Sequence, residues 1–104
     1  MLTNNVKIFV RESIQSVWGL ELLLFLRRHS EESWTIASLT RELRASEFIV
    51  HECLGLFRTA HLIEVNADGT IKFSPSSPKL KSMVDEIANA YTHNAQALAD
   101  EIYA

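Results

Sequence analysis

Residues 17 to 29 read "VWGLELLLFLRRH". Wound as a helix, Val17, Trp18, Leu20, Leu22, Leu23, Leu24, Phe25 and Leu26 surround almost the whole circumference. A helix that is apolar nearly all round has no face to turn to water, so it belongs at the centre of a domain with other elements wrapped about it. Ser16 precedes it as an N-cap, and Arg27, Arg28 and His29 close it with the charge preferred near a helix C-terminus. Gly19 inside it costs roughly 1 kcal/mol relative to alanine, and close approach of a neighbouring backbone is the expected compensation. With 104 residues there is room for one domain and one core around such a helix. An apolar content of 47% with two prolines marks a folded chain rather than a disordered one. The longest apolar run, Leu22 to Leu26, is too short to cross a bilayer. "MLTNNVKIF" lacks the layout of a signal peptide, so a cytoplasmic location is expected.

The rest of the chain supplies the wrapping. "NVKIFVRESIQ" at 5–15 sets Val6, Phe9, Val10 and Ile14 at helical spacing, a short amphipathic helix. After the polar loop "SEES", Trp34, Thr35 and Ile36 could form a short strand. "ASLTRELR" then makes a helix of about two turns whose Leu39 and Leu43 share one buried face. "RAS" at 44–46 is a tight turn, and Ser46 caps a helix running to about Ala60, with Val50, Leu54 and Phe57 as its inner stripe. "LIEVNADGTIKF" is a β-hairpin: two alternating runs joined by "NADG", with Gly69 available for positive φ. "SPSSP" at 74–78 ends it.

From Lys79 to Tyr103 no proline or glycine interrupts a helical pattern. Leu80, Val84, Ile87, Tyr91, Ala95 (or Asn94), Leu98 and Ile102 form a continuous apolar seam. At a rise of about 1.5 Å per residue such a helix is roughly 35 Å long, more than a core of this size can cover. The expectation is a homodimer, its interface built from Val6, Phe9 and Val10 of the first helix and Leu80, Val84, Ile87, Tyr91, Leu98 and Ile102 of the last. Asn94, on or beside the seam, would then fix register against its symmetry mate. Packing on the chain's own domain is the plainer alternative. A membrane-surface helix is disfavoured because the polar face carries Asp85, Glu86, Asp100 and Glu101.

The order helix, helix, tight turn, helix, hairpin resembles the winged helix-turn-helix domain of bacterial transcription regulators such as the MarR, ArsR and PadR families. The resemblance covers about residues 16–75 and is carried by "TIASLTRELRASEFIVHECLGLFRTAHLIEV". The matching positions are Thr35–Ile36, Leu39, Leu43, Ala45, Ser46, Val50, Leu54, Phe57 and "AHLI" at 60–63. His61 departs from the pattern, standing where the family usually has glycine for a left-handed helix exit. The resemblance implies a mainly α fold with a small β-hairpin (α+β). In it residues 1–104 form a single domain, with an N-terminal helix at 5–15, a winged-helix core at 16–75 and a dimerisation helix at 79–103. It further implies that residues 46–60 lie in the major groove of double-stranded DNA, with "NADG" at 66–69 as the wing tip near the phosphates.

The residues themselves leave two readings open. With Val50, Leu54 and Phe57 inward, the outward positions are Glu47, Phe48, His51, Glu52, Gly55 and Arg58. A DNA-binding transcription regulator would use Arg41, Arg44, Ser46, His51 and Arg58, with Lys72 on the wing. Against it stand Glu47, Glu52 and Asp68. A like charge about 4 Å from a phosphate costs roughly 1 kcal/mol in water and several at a partly dry interface. The net charge is −3 and no basic stripe is present. The competing reading keeps the scaffold and makes Glu47, Phe48, His51, Glu52 and Gly55 the face that binds a regulatory protein, Gly55 admitting a partner's helix at close range.

Catalysis is not expected. His29, His51, His61 and His93 are scattered, and the consecutive "HEC" at 51–53 points in directions about 100° apart on a helix, unable to grip one metal. No glycine-rich phosphate loop is present, and neither cofactor nor metal is expected. Cys53, the single cysteine, can form no intramolecular disulfide and reads as a small apolar residue; Glu52 beside it works against a reactive thiolate. Trp18 and Trp34 read as core and hinge packing, with a small-molecule pocket between them and the terminal helices as the alternative.

Overall fold

The computed structural model describes residues 2–103. It is mainly helical with one small antiparallel hairpin, the α+β class that the patterning predicts. Helix α1 (Asn4–Phe9) starts behind Thr3, whose Oγ1 accepts the Val6 N–H at 3.3 Å, and runs into a π-helical turn at Val10–Ile14. That turn closes when Gln15 takes a left-handed conformation (φ 65°) and donates its N–H to Val10 O at 2.9 Å. Val6, Phe9, Val10 and Ile14 are all buried, the stripe expected of them.

Helix α2 (Val17–Arg28) begins at once, with Ser16 Oγ accepting the Gly19 N–H at 3.0 Å. Gly19 is required by what precedes it: a Cβ there would stand 2.4 Å from the Ile14 carbonyl oxygen. The close-approaching backbone is the chain's own previous turn. Leu20, Leu22, Leu23 and Leu26 are buried, but Val17 and Trp18 are 39% and 40% exposed, so α2 is not enclosed all round. Within its first turn Val17 and Trp18 face solvent while Gly19 and Leu20 are already buried.

Helix α3 (Ile36–Leu43) is fixed by a capping box in which Thr35 and Ser38 exchange side-chain-to-backbone bonds. The box takes residues 35 and 36 into the helix start, so the expected strand shrinks to Trp34 alone, paired with Ile71 through bonds of 2.8 and 2.7 Å. Arg44 turns the chain in a left-handed conformation (φ 55°), and Ser46 caps helix α4 (Glu47–Thr59) by accepting the Ile49 N–H at 3.1 Å. Val50, Cys53, Leu54 and Phe57 face the core. The helix ends in a Schellman motif with His61 at φ 61°: Leu62 N–H bonds to Phe57 O at 2.9 Å and His61 N–H to Arg58 O at 3.1 Å. A histidine thus occupies the left-handed exit.

Strands β1 (Ile63–Val65) and β2 (Ile71–Phe73) pair Ile63 with Phe73, Glu64 with Lys72 and Val65 with Ile71. Gly69 makes the turn at φ 86°. Helix α5 (Pro78–Ile102) starts on the Ser77 cap with proline in its first turn.

The straight six-turn seam is corrected at Asn94, which has φ −158° and ψ 76° and divides α5 into two helices. Asn94 is exposed and its Oδ1 accepts the Ala97 N–H at 3.3 Å, so in the single chain it caps the second helix. The bend lays the last turns against α1. Leu98 is fully buried there, and Glu101 receives Arg11 Nη2 at 2.8 Å and Lys7 Nζ at 3.9 Å. The residues expected at a dimer interface have cover within the single chain. Val6, Phe9, Val10, Val84, Ile87 and Leu98 are buried within a single chain, and Leu80, Tyr91 and Ile102 are partly buried against the same core. The two terminal stripes cover each other, because the bend removes the overhang that a straight helix would leave. No helix among the described residues is long and apolar enough to cross a membrane.

Candidate macromolecular interface on helix α4

Helix α4 turns Glu47, Phe48, His51, Glu52, Gly55 and Arg58 to solvent, as the inward stripe requires. Phe48 is 73% exposed, an apolar ring of this size set in the helix's first turn with no cover from the chain. No Cβ-distance conflict exists at Gly55: an added methyl would meet nothing within 4 Å. Between α4 and the hairpin lies a cleft of about 260 Å³. Leu54, Ile36 and Ile71 form its floor, His51 and Arg58 stand on its α4 side, and Ile63 and Val65 on its hairpin side.

The basic residues picked from the sequence fall around this helix. Arg41, Arg44 and Arg58 are exposed and Lys72 is half-buried on β2. Among the described residues none of the four makes an ion pair, whereas Lys7, Arg11, Arg27 and Lys81 are each paired with Glu101 or Asp85. Ser46 lies at the α4 mouth, but its oxygen is occupied by the cap and only its O–H proton is free to donate. The acids are equally well placed. Glu47 and Glu52 are exposed on α4, and Glu64 faces Lys72 across the ladder. Asp68 accepts the Thr70 hydroxyl at 2.7 Å and the Thr70 N–H at 3.0 Å, bonds that hold its carboxyl below the usual range and commit it to the turn. With Glu42 also exposed beside Arg41, five acids stand against four cations on α3, α4 and the hairpin, so these elements carry no positive excess.

One contributor escaped the sequence reading. Val65, 44% exposed, puts an apolar side chain on β1 beside α4, while Glu64 lies on the opposite side of the ribbon, across from Lys72. The signal was present in the alternation of "LIEV", which sends Ile63 and Val65 to one side of the ribbon.

The other candidates behave as packing. "HEC" separates as its spacing demands: His51 and Glu52 outward, Cys53 buried. Burial, and to a smaller degree the Glu52 charge, raise the Cys53 thiol above its ordinary pKa against a lowering hydrogen bond with Ser16. No group of three metal-ligating side chains occurs among the described residues. Trp34 packs against Phe25 and His29, with ring centroids 4.9 and 5.6 Å away, at the far end of α2 from Trp18. The two tryptophans therefore sit about 10 Å or more apart along the helix axis and enclose no common pocket. Compared with protein-family models, with curated proteins and with solved structures, the chain matches none.

Proposed function

We propose that the chain is a winged helix-turn-helix transcription regulator, with α3, the Arg44 turn and α4 as the helix-turn-helix, the hairpin as the wing, and double-stranded DNA as the partner. The observation that carries this reading is the distribution of uncommitted cations. Arg41, Arg44, Arg58 and Lys72 make no ion pair among the described residues and lie on or near α4 and the hairpin, while Lys7, Arg11, Arg27 and Lys81 are held by acids; Arg28 at the end of α2 and Lys79 at the start of α5 are also without an ion pair. Arg44 and Arg58 supply phosphate contacts at the two ends of the helix, and His51 and Glu52 face base edges. A glutamate there accepts from cytosine N4. With so few phosphate contacts, binding is weak and falls steeply with salt.

The 73% exposure of Phe48 favours a second reading, in which the same scaffold docks on a regulatory protein. Fluorescence polarisation on duplex DNA fragments at low salt separates the two. The DNA reading expects binding whose salt slope falls by about one for each of Arg44→Ala and Arg58→Ala. Absence of all DNA binding at low salt overturns it.

A further inference from the structure

We propose that residues 95–102 are an exchangeable arm, and that a second copy of this chain can receive the arm in the groove along α1 that its own arm fills here. This inference is independent of what α4 binds. Its first support is the hinge. Asn94 is the one residue with non-helical angles inside α5, and it is exposed, as are Thr92 and His93 before it and Ala95 and Gln96 after it. The whole bend is therefore concentrated in a single backbone position that nothing packs upon. Changing φ and ψ at one such residue redirects the arm without disturbing the core.

The second support is phase. Ile87, Tyr91, Leu98 and Ile102 keep steps of four, seven and four, so the apolar stripe would run straight through Asn94 were that residue helical. A straightened α5 is one uninterrupted amphipathic helix that carries Leu98 and Ile102 away from their own domain. Thr92, His93 and Asn94 are poor helix formers, which holds the bent and straight forms close in energy.

The third support is that the arm's seat is specific. Leu98 is completely buried, and the Glu101 carboxylate accepts Arg11 Nε at 3.1 Å and Nη2 at 2.8 Å, with Lys7 Nζ 3.9 Å away. These contacts are the same whether the arm comes from the same chain or another, so exchange recovers them in full while adding helical bonds across the hinge. On the inner side of the bend an open cleft of about 450 Å³, lined by Leu2, Lys7, Asn94, Ala97 and Asp100, leaves the arm incompletely sealed. The seam read from the sequence as a dimer interface then keeps that role only beyond residue 94, by exchange of the arm.

The test uses the full chain and charge reversal. Arg11→Glu sets a second carboxylate against Glu101 within one chain, and Glu101→Arg sets a second guanidinium against Arg11. In an arm-exchanged heterodimer of the two variants both junctions are again opposite in sign. One variant is isotopically labelled, the two are co-refolded, and the mixture is read by native mass spectrometry and light scattering. The concentrations run from about 1 μM to about 1 mM, spanning the effective concentration of a short tether. The expected result is a heterodimer several-fold in excess over both homodimers. In parallel, Asn94→Ala straightens the hinge and shifts the otherwise unmutated chain toward twice its mass at lower concentration. Monomers at every concentration in both the mixture and Asn94→Ala, or a statistical mixture of homo- and heterodimers, would overturn the proposal.

Discussion

Two of the three glycines sit inside helices, and replacing each by alanine should move stability in opposite directions. Alanine at either site gains the helix-propensity difference, about 1 kcal/mol. At Gly55 nothing lies within 4 Å of the new methyl, so the gain is realised in full. A domain of this size should then melt about 4–8 °C higher. At Gly19 the methyl would be 2.4 Å from the Ile14 carbonyl oxygen. That oxygen cannot step aside cheaply, because Ile14 is fully buried and Gln15 is locked at φ 65° by its bond to Val10 O. Overpacking against a fixed backbone costs about 1–3 kcal/mol. The same cost should separate Gly55→Ala from Gly19→Ala, leaving the latter up to about 2 kcal/mol less stable than the parent. Urea unfolding followed by circular dichroism measures both, provided the m-values agree. Equal stabilisation by the two substitutions would refute the reasoning, since it would mean that the turn at Ile14–Ser16 does not press on α2.

Two further expectations concern titrating groups. Cys53 should resist a thiol reagent at neutral pH in the native protein and react fully only in denaturant, because burial raises its pKa and Glu52 adds to the effect; rapid native labelling would contradict its place in the core. Burial alone would raise the Asp85 carboxyl, but hydrogen bonds from Arg27 (3.0 Å) and Lys81 (3.3 Å) prevail and lower it. A lowered folded pKa stabilises the fold above the ordinary carboxylate value of about 3.9, and that stability is lost as pH falls through the folded value. With its side chain 43% exposed, Asp85 contributes under about 1 kcal/mol after solvent screening. The difference in urea midpoint between the parent and Asp85→Asn should therefore be small at pH 7, shrink with salt, and close in acid. A gap that widens in acid would reverse the assigned sign.

The sequence was most readable where one residue's chemistry decides the local backbone. "NADG" between alternating runs could only turn, Ser46 before "EFIV" could only cap, and Gly19 inside a leucine-rich helix pointed to a close approach that the Ile14 carbonyl makes. It was least readable where the outcome depends on what stands opposite. An apolar seam states which face is buried and is silent on whether the cover comes from the same chain, so Val84, Ile87 and Leu98 looked equally ready for a second copy. Periodicity is also silent on the helix axis. The run "THN" at 92–94 was the available sign of a break, and it was outweighed by the absence of proline and glycine. Trp18 was misplaced for a related reason: an all-apolar sequence implies a helix surrounded along its length, but the domain supplies neighbours for only part of it.

The outward residues of α4 divide once each is asked whether its own chain explains it. Glu47 does not need a partner, since a carboxylate in the first turn favours the helix dipole by about 0.3–1 kcal/mol. His51 and Arg58 border the cleft beside the hairpin. Gly55, with open space above it, borders the same cleft, whereas Phe48 and Glu52 have no such account: an exposed ring and a mid-helix acid without an ion pair among the described residues. Phe48, Glu52 and Gly55 are spaced by four and then three, so they share one stripe; Glu52 and Gly55 border a depression with Gln15 and Thr59, and Gly55 also borders the hairpin cleft. The two readings of this face therefore overlap at His51, Glu52 and Gly55 and differ in which flank of the helix they favour. A contact with DNA leans on Arg44 and Arg58, with His51 and Glu52 at the base edges; a contact with protein is centred on Phe48 and shares His51, Glu52 and Gly55. Substituting Phe48 by alanine should leave DNA binding nearly intact if the first reading holds, because the ring lies off the cation-bearing edge. A loss of DNA affinity as large as that caused by Arg58→Ala would show that the helix meets its partner along both flanks at once.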